Sequence, residues 1–188
     1  WELGYNVTWN KNEIDELVAS SGEDYKITYG GRAVGTGSAD GVKAWKVGQS
    51  ASAYYVFQQV YDMNGNPIEG QFVDRNADGV INNDDRYFYK KSTPDVTMGF
   101  TSKLIYKNWD LGFSMRANLN NYNYFALEAG NANLSLSNLT IGESYHNVMK
   151  METAKNWQYV DGNDAMSDYF IQNASFLKLD NITLGYSF

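Results

Sequence analysis

Val96-Thr97-Met98-Gly99-Phe100-Thr101-Ser102-Lys103-Leu104-Ile105-Tyr106-Lys107-Asn108-Trp109-Asp110-Leu111-Gly112-Phe113-Ser114-Met115-Arg116-Ala117-Asn118-Leu119 is the stretch that decides how this chain folds. Its first half sets Val96, Met98, Phe100, Leu104 and Tyr106 against Thr97, Gly99, Thr101 and Lys103. After Lys107-Asn108 the pattern restarts as Trp109, Leu111, Phe113, Met115, Ala117 and Leu119, with Asp110, Gly112, Ser114, Arg116 and Asn118 between them. Successive side chains of a strand point to opposite faces, so each run has one apolar face and one polar or glycine face. A two-residue link between such runs reads as a hairpin. Strands of ordinary sheets run about 5–6 residues, and these two are about twice as long. Strands near ten residues, apolar on one side and wet on the other, suit a transmembrane β-barrel.

Working outward, the same alternation occurs at Trp1, Leu3, Tyr5, Val7 and Trp9, and again at Ile182, Leu184, Tyr186 and Phe188. Both ends therefore read as lying inside strands, and residues 1–188 are expected to be one portion of a larger barrel. A fourth block, 53–61, is imperfect because Tyr54, Tyr55, Val56 and Phe57 are adjacent. It reads as a strand covered on both faces or as a bulge. Ile14, Leu17 and Val18 have helical spacing. Residues 30–41, rich in Gly, Ser and Thr, read as loop. The tract 121–172, with its Asn-rich and Leu/Ser segments, has no clear period. A two-residue turn at one end and long stretches at 62–95 and 121–172 match the short periplasmic turns and long extracellular loops of outer-membrane barrels.

Composition narrows the function classes. The 188 residues are 43% hydrophobic and 15% aromatic, with 15 Tyr, 9 Phe and 5 Trp. Tyr and Trp favour membrane–water interfaces, although plain β-propensity explains the same residues. A net charge of −7 and no basic stripe argue against a nucleic-acid partner. No run of ~18 apolar residues is present, so no transmembrane helix is expected. The absence of cysteine removes disulfides, thiolate metal sites and a Cys nucleophile.

Chemistry-bearing motifs are few. The sharpest is Asp74-Arg75-Asn76-Ala77-Asp78-Gly79-Val80-Ile81-Asn82-Asn83-Asp84-Asp85. Asp74, Asn76 and Asp78 can converge on a hard cation, Gly79 permits the sharp turn, Val80 offers its carbonyl, and Asn82 acts through a water. Asp85 holds the closing place where an EF-hand prefers Glu. The expected occupant is a structural Ca²⁺ that stiffens a long loop; an Asx-rich turn without metal is the plainer reading. His146 has no Ser or Asp spacing of a triad around it. Asp84-Asp85 and Glu23-Asp24 read as solvated charge, and the glycine pairs lack a strand–helix context for phosphate. No catalytic residue is assigned. Asn121, Tyr122, Asn123 and Tyr124 combine amides with stacking faces, which suits polar, uncharged cargo, against the plainer reading of a solvated strand end.

Three stretches resemble one family. They are Trp1 to Ile14, with its Asn10-Lys11-Asn12-Glu13-Ile14 exit; Gly70 to Leu111, through Asp84-Asp85-Arg86, Thr93-Pro94, Gly99-Phe100 and Tyr106-Lys107-Asn108-Trp109-Asp110-Leu111; and Ala174 to Tyr186, with Leu184-Gly185-Tyr186. Their order and spacing resemble the late part of SusC/RagA-type TonB-dependent outer-membrane transporters. The resemblance implies an all-β, antiparallel barrel of about 22 strands with long extracellular loops. It further implies a plug, TonB coupling, a SusD-like surface lipoprotein, contact with outer-membrane lipid, and glycan or peptide cargo. The rival class is a soluble, calcium-stabilised β-sandwich that binds glycans.

Overall fold

The computed structural model describes residues 1–18, 25–32, 41–131, 140–141, 144–145 and 164–188. The strands are β1 (Glu2–Trp9), β2 (Ile27–Arg32), β3 (Gly41–Trp45), β4 (Ala53–Val56), β5 (Gln59–Tyr61), β6 (Pro67–Phe72), β7 (Tyr87–Lys91), β8 (Val96–Tyr106), β9 (Trp109–Leu119), β10 (Tyr122–Tyr124), β11 (Thr140–Ile141), β12 (Ser144–Tyr145), β13 (Ile171–Asn173) and β14 (Phe176–Tyr186). The α-helix among the described residues, α1, covers Ala126–Asn131. The chain divides into two compact units, one of residues 1–12, 91–122 and 173–188, the other of residues 13–90 and 123–172.

The first unit is a four-stranded antiparallel sheet in the order β1-β8-β9-β14. The hairpin forms where the alternation placed it: Tyr106 pairs with Trp109, and Lys107 takes a left-handed φ of 54°. Strands β8, β9 and β14 each have 11 residues. At ~3.4 Å per residue and a tilt of about 40°, such strands rise about 28 Å, enough for an apolar band of ~25 Å.

Register lines up one apolar face across all four strands. Tyr5, Phe100, Met115 and Leu179 share one row, and Leu104, Leu111 and Leu184 share another. Leu3, Tyr5, Val7, Leu177, Ile182 and Leu184 are more than half exposed. Two irregularities in the alternation have physical answers. Ser102, a hydroxyl among apolar neighbours, accepts a 3.0 Å hydrogen bond from the Trp1 indole Nε1–H. In β14 the apolar residues change phase between Leu179 and Ile182, and a register shift between Leu179 and Asn181 absorbs the change. Asp180 is the extra residue of that bulge, so apolar side chains stay on one face on both sides of it.

On the opposite face lie Glu2, Lys103, Arg116 and Lys178, with an Arg116–Asp180 ion pair at 3.2 Å. Here the glycines are seats: a Cβ on Gly99 would stand 2.9 Å from the Asn6 amide. The pairing of Trp9 with Val96 and Phe176 with Asn118 puts both long connections, 10–95 and 120–175, at one end of the sheet. That end is laced: Asn10 N–H donates to Asp95 C=O at 2.8 Å, Asp95 N–H to Leu119 C=O at 3.0 Å, and Asn120 N–H to Ser175 Oγ at 2.9 Å.

The long connections are more than loops, because the second unit has its own core. Tyr54, Tyr55, Val56 and Phe57 are all 3% exposed or less, so this run is covered on both faces, as its lack of alternation suggested. It ends at Phe57, and β5 begins at Gln59. Phe57 forms a parallel bridge with Ser167, its N–H donating to Met166 C=O at 2.9 Å. Buried Gln59 spans three segments: its amide donates to Ile68 C=O at 2.7 Å and its Oε1 accepts from Ser167 Oγ at 2.7 Å. Asp168 accepts from Gln59 N–H at 3.0 Å and from the Tyr87 hydroxyl at 2.6 Å. Burial raises both the Asp168 carboxyl and the Tyr87 phenol above their ordinary values.

Two local expectations change. Residues 11–18 are not helical; Ile14 N–H donates to Gln49 C=O at 2.9 Å and Ile14 C=O accepts from Gly48 N–H, which takes the backbone out of a helix. Gly30 and Gly31 lie within β2 rather than in a loop. His146 and residues 146–163 lie outside the described residues.

Candidate functional site

The Asp74–Asp85 loop belongs to the second unit and is built on side chain-to-backbone hydrogen bonds. Asp74 accepts from Ala77 N–H at 2.6 Å through Oδ1 and from Gly79 N–H at 2.8 Å through Oδ2. Asp78 accepts from Val80 N–H at 2.8 Å and from the Asn76 amide at 3.0 Å. Ala77 and Gly79 have φ of 60° and 82°, the left-handed turns that a tight Asx-rich loop needs. Asn82 caps a short 3-10 turn at Asn83–Asp85 and also reaches the Val80 carbonyl at 3.4 Å.

Asp85 is the fully buried member. Its carboxylate accepts from Asn82 N–H at 2.9 Å, Arg75 N–H at 2.8 Å and Asn76 N–H at 3.4 Å. These bonds, that from Asn82 first, hold it below the usual carboxylate range. Asp85 thus ties the two ends of the loop, whereas Asp74, Asn76 and Asp78 surround its exposed tip. Among the described residues no three His, Cys, Asp or Glu side chains converge as one metal-ligand group. A carboxylate oxygen has two lone pairs, so Asp74 and Asp78 keep acceptor capacity beside Asn76 and the Val80 carbonyl.

The run Asn121–Tyr124 straddles the boundary between the units, with Tyr122 in the first and Asn123 in the second. Asn121 is buried, with its backbone carbonyl accepting from Ala174 N–H at 2.9 Å. Strand alternation in β10 separates Tyr122 and Tyr124 from Asn123, the openly exposed member. Tyr124 donates its hydroxyl to Ala165 C=O at 2.7 Å, its N–H is held by Tyr54 Oη at 3.0 Å, and burial pushes its phenol up. Tyr29 and Trp45, an aromatic pair on the outer face of β2 and β3, belong to no sequence motif.

Compared over all 188 residues, the chain is 50% identical to the TonB-dependent receptor SusC of Bacteroides thetaiotaomicron. The chain belongs to the SusC-type TonB-dependent receptors. It covers 18% of that relative, so this SusC-type segment spans under a fifth of its length. The TonB-dependent receptor P3 of Formosa agariphila is 27% identical over 208 aligned positions, all of this chain and 20% of that protein. Among solved structures, that of the RagAB peptide transporter matches 98% of this chain and 20% of its own, with a TM-score of 0.62 at 16% identity, which establishes a common fold. No family model matches the sequence.

A SusC-type segment with this antiparallel sheet is a portion of an outer-membrane barrel. That assignment explains why the apolar face of the β1-β8-β9-β14 sheet is exposed: lipid is its solvent. It also replaces the soluble sandwich, which would bury such a face against a second sheet.

Proposed function

We infer that this SusC-type segment serves TonB-dependent import of oligosaccharides or peptides, as part of the barrel wall and of the outer region that meets cargo. The observation that supports this most is the sheet with one largely exposed apolar face and both long connections at one end. In this reading no bond is made or broken. The apolar face anchors in lipid, and the Lys103, Arg116 and Lys178 face turns to the lumen. The long connections 10–95 and 120–175 leave the sheet at its outward end, where a SusD-like surface lipoprotein is the lid. TonB engages a part of the receptor beyond this segment.

The test uses cells carrying the whole receptor, with and without a functional TonB. Labelled neutral oligosaccharides and labelled peptides of similar mass are offered separately. Energised uptake of one class is expected, lost without TonB. Uptake of neither, or uptake that ignores TonB, overturns the reading. Co-purification of a surface lipoprotein with the receptor tests the lid; a receptor that purifies without one overturns it.

Calcium in the 74–85 loop is a second part of the proposal. Asp74, Asn76 and Asp78 with the Val80 carbonyl would hold the ion, Asn82 would reach it through a water, and Asp85 would stabilise the frame. Calcium at a hundredfold excess over its Kd is expected to stabilise the unit by about 2.7 kcal/mol. An unchanged melting curve on adding calcium or a chelator, or an equal shift in Asp74→Ala, removes the ion from the account.

A further inference from the structure

The β2–β3 hairpin of the second unit carries a pair of rings that its core does not use. Along β3, Val42 and Ala44 are 2% and 0% exposed, so Lys43 and Trp45 lie on the other face, and Trp45 stays 38% exposed. Ile27 pairs with Trp45 and Tyr29 with Lys43, which makes Tyr29 and Trp45 diagonal neighbours on that outer face. Their ring centroids are 4.7 Å apart and their planes are tilted by 36°. Close strand approach sets the placement, since a Cβ on Gly41 would fall 1.9 Å from the Tyr29 carbonyl oxygen.

Both polar tips point to one acceptor. Trp45 Nε1–H donates to Ala51 C=O at 3.0 Å, and the Tyr29 hydroxyl donates to the same oxygen. A Trp that served the core would turn its ring inward; here both donors are spent on one backbone carbonyl and Trp45 stays partly exposed. The orientation is fixed before any ligand arrives, which lowers the entropy cost of binding. Next along the face, Lys43 pairs with Tyr54 and holds its ammonium 5.0 Å from that ring. Flat aromatic surface matches a sugar ring, which has an apolar C–H face. A peptide of ordinary sequence has no repeating flat apolar face to lay on it.

We propose that Tyr29 and Trp45 form a stacking subsite for one pyranose ring of a neutral oligosaccharide. This rests on the oligosaccharide branch of the proposed function and names where that cargo is held.

The test titrates maltoheptaose, cellohexaose, xylohexaose and mannohexaose calorimetrically into the whole receptor in detergent. For whichever sugar binds, Trp45→Ala is expected to weaken affinity at least tenfold and Trp45→Phe by less, because the ring is kept. Affinity in Trp45→Ala within twofold of wild type overturns the subsite and leaves oligosaccharide import standing. A wild type that binds none of the four sugars yet imports peptides through TonB overturns the oligosaccharide branch and the subsite together. Should Trp45→Ala fail to fold, oxidation of Trp45 by N-bromosuccinimide in the wild type decides: the bound sugar is expected to protect it, and unchanged oxidation overturns the subsite.

Discussion

Replacing Phe113 by Arg in the whole receptor sets a guanidinium near the middle of the apolar face. Phe113 is the fifth of the 11 residues of β9 and one step from its centre. It pairs with Ser102 on one side and Ile182 on the other, and its ring lies 5.7 Å from that of Phe100. One residue along a tilted strand displaces it only about 3 Å from the midplane. An Arg at that depth on a lipid face costs about 2–4 kcal/mol. Loss of the aromatic pair adds about 0.5–1.5 kcal/mol. Together they come to about 2.5–5.5 kcal/mol, or roughly seventyfold and upward in the folding equilibrium. The control is Ser114→Arg, one residue on and therefore on the polar face. The assay is the fraction of receptor that migrates as the folded, heat-modifiable form, followed by urea titration in lipid vesicles. Phe113→Arg should fold poorly and Ser114→Arg nearly as wild type. Equal behaviour of the two, or the reverse order, refutes the orientation of the sheet.

Three further outcomes follow from the same geometry. Trp1→Phe and Ser102→Ala should couple by about 0.6–2 kcal/mol in a double-mutant cycle, since each removes one side of the hydrogen bond on the apolar face; additive effects would deny the bond. Gly41→Ala should open the β2–β3 hairpin, with overpacking of about 1–3 kcal/mol, and expose 27–45 to limited proteolysis; wild-type resistance would contradict the close approach. The Asp85 carboxylate is held below its ordinary range, so its contribution is present above the unfolded carboxylate pKa of ~4 and is lost as pH falls through the lower, folded value. Asp85→Ala should therefore lower the urea midpoint at neutral pH and flatten its fall in acid; an unchanged acid limb would show that the loop does not depend on Asp85.

The membrane sheet was legible because its signal is local. Period-two alternation over 96–119 specified both strands, the turn at Lys107-Asn108 and the face of each side chain, and only lipid was needed to complete it. The two breaks in the pattern needed partners that are far away. Ser102 is answered by Trp1, and the phase change at Asp180 is resolved by a bulge against β9. Within the second unit, 62–90 and 123–172 read as long loops because the cohesion there is non-local. Phe57, Gln59 and Tyr87 meet Ser167 and Asp168 across about eighty residues or more, and no window of sequence contains both sides.

The site residues divide in the same way. The spacing of Asp74, Asn76, Asp78 and Gly79 correctly announced a tight turn, because side chains bond backbone within a few residues. The same spacing could not show that Asp85 points into the loop base to hold amides. Tyr29 and Trp45 carried no motif at all: their pairing depends on β2–β3 register and on the Ala51 carbonyl.

In this topology the wall segment turns Lys107-Asn108 to the periplasm and both long connections outward. A chain segment without cysteine makes this directly measurable. In a receptor with any other cysteines removed, Met63→Cys, at a fully exposed position of the 10–95 connection, and Asn108→Cys are each treated on intact cells with a membrane-impermeant maleimide. Met63→Cys should label at once, and Asn108→Cys only after the outer membrane is permeabilised. Labelling of Asn108→Cys on intact cells, with Met63→Cys protected, would contradict the topology and the import reading built on it.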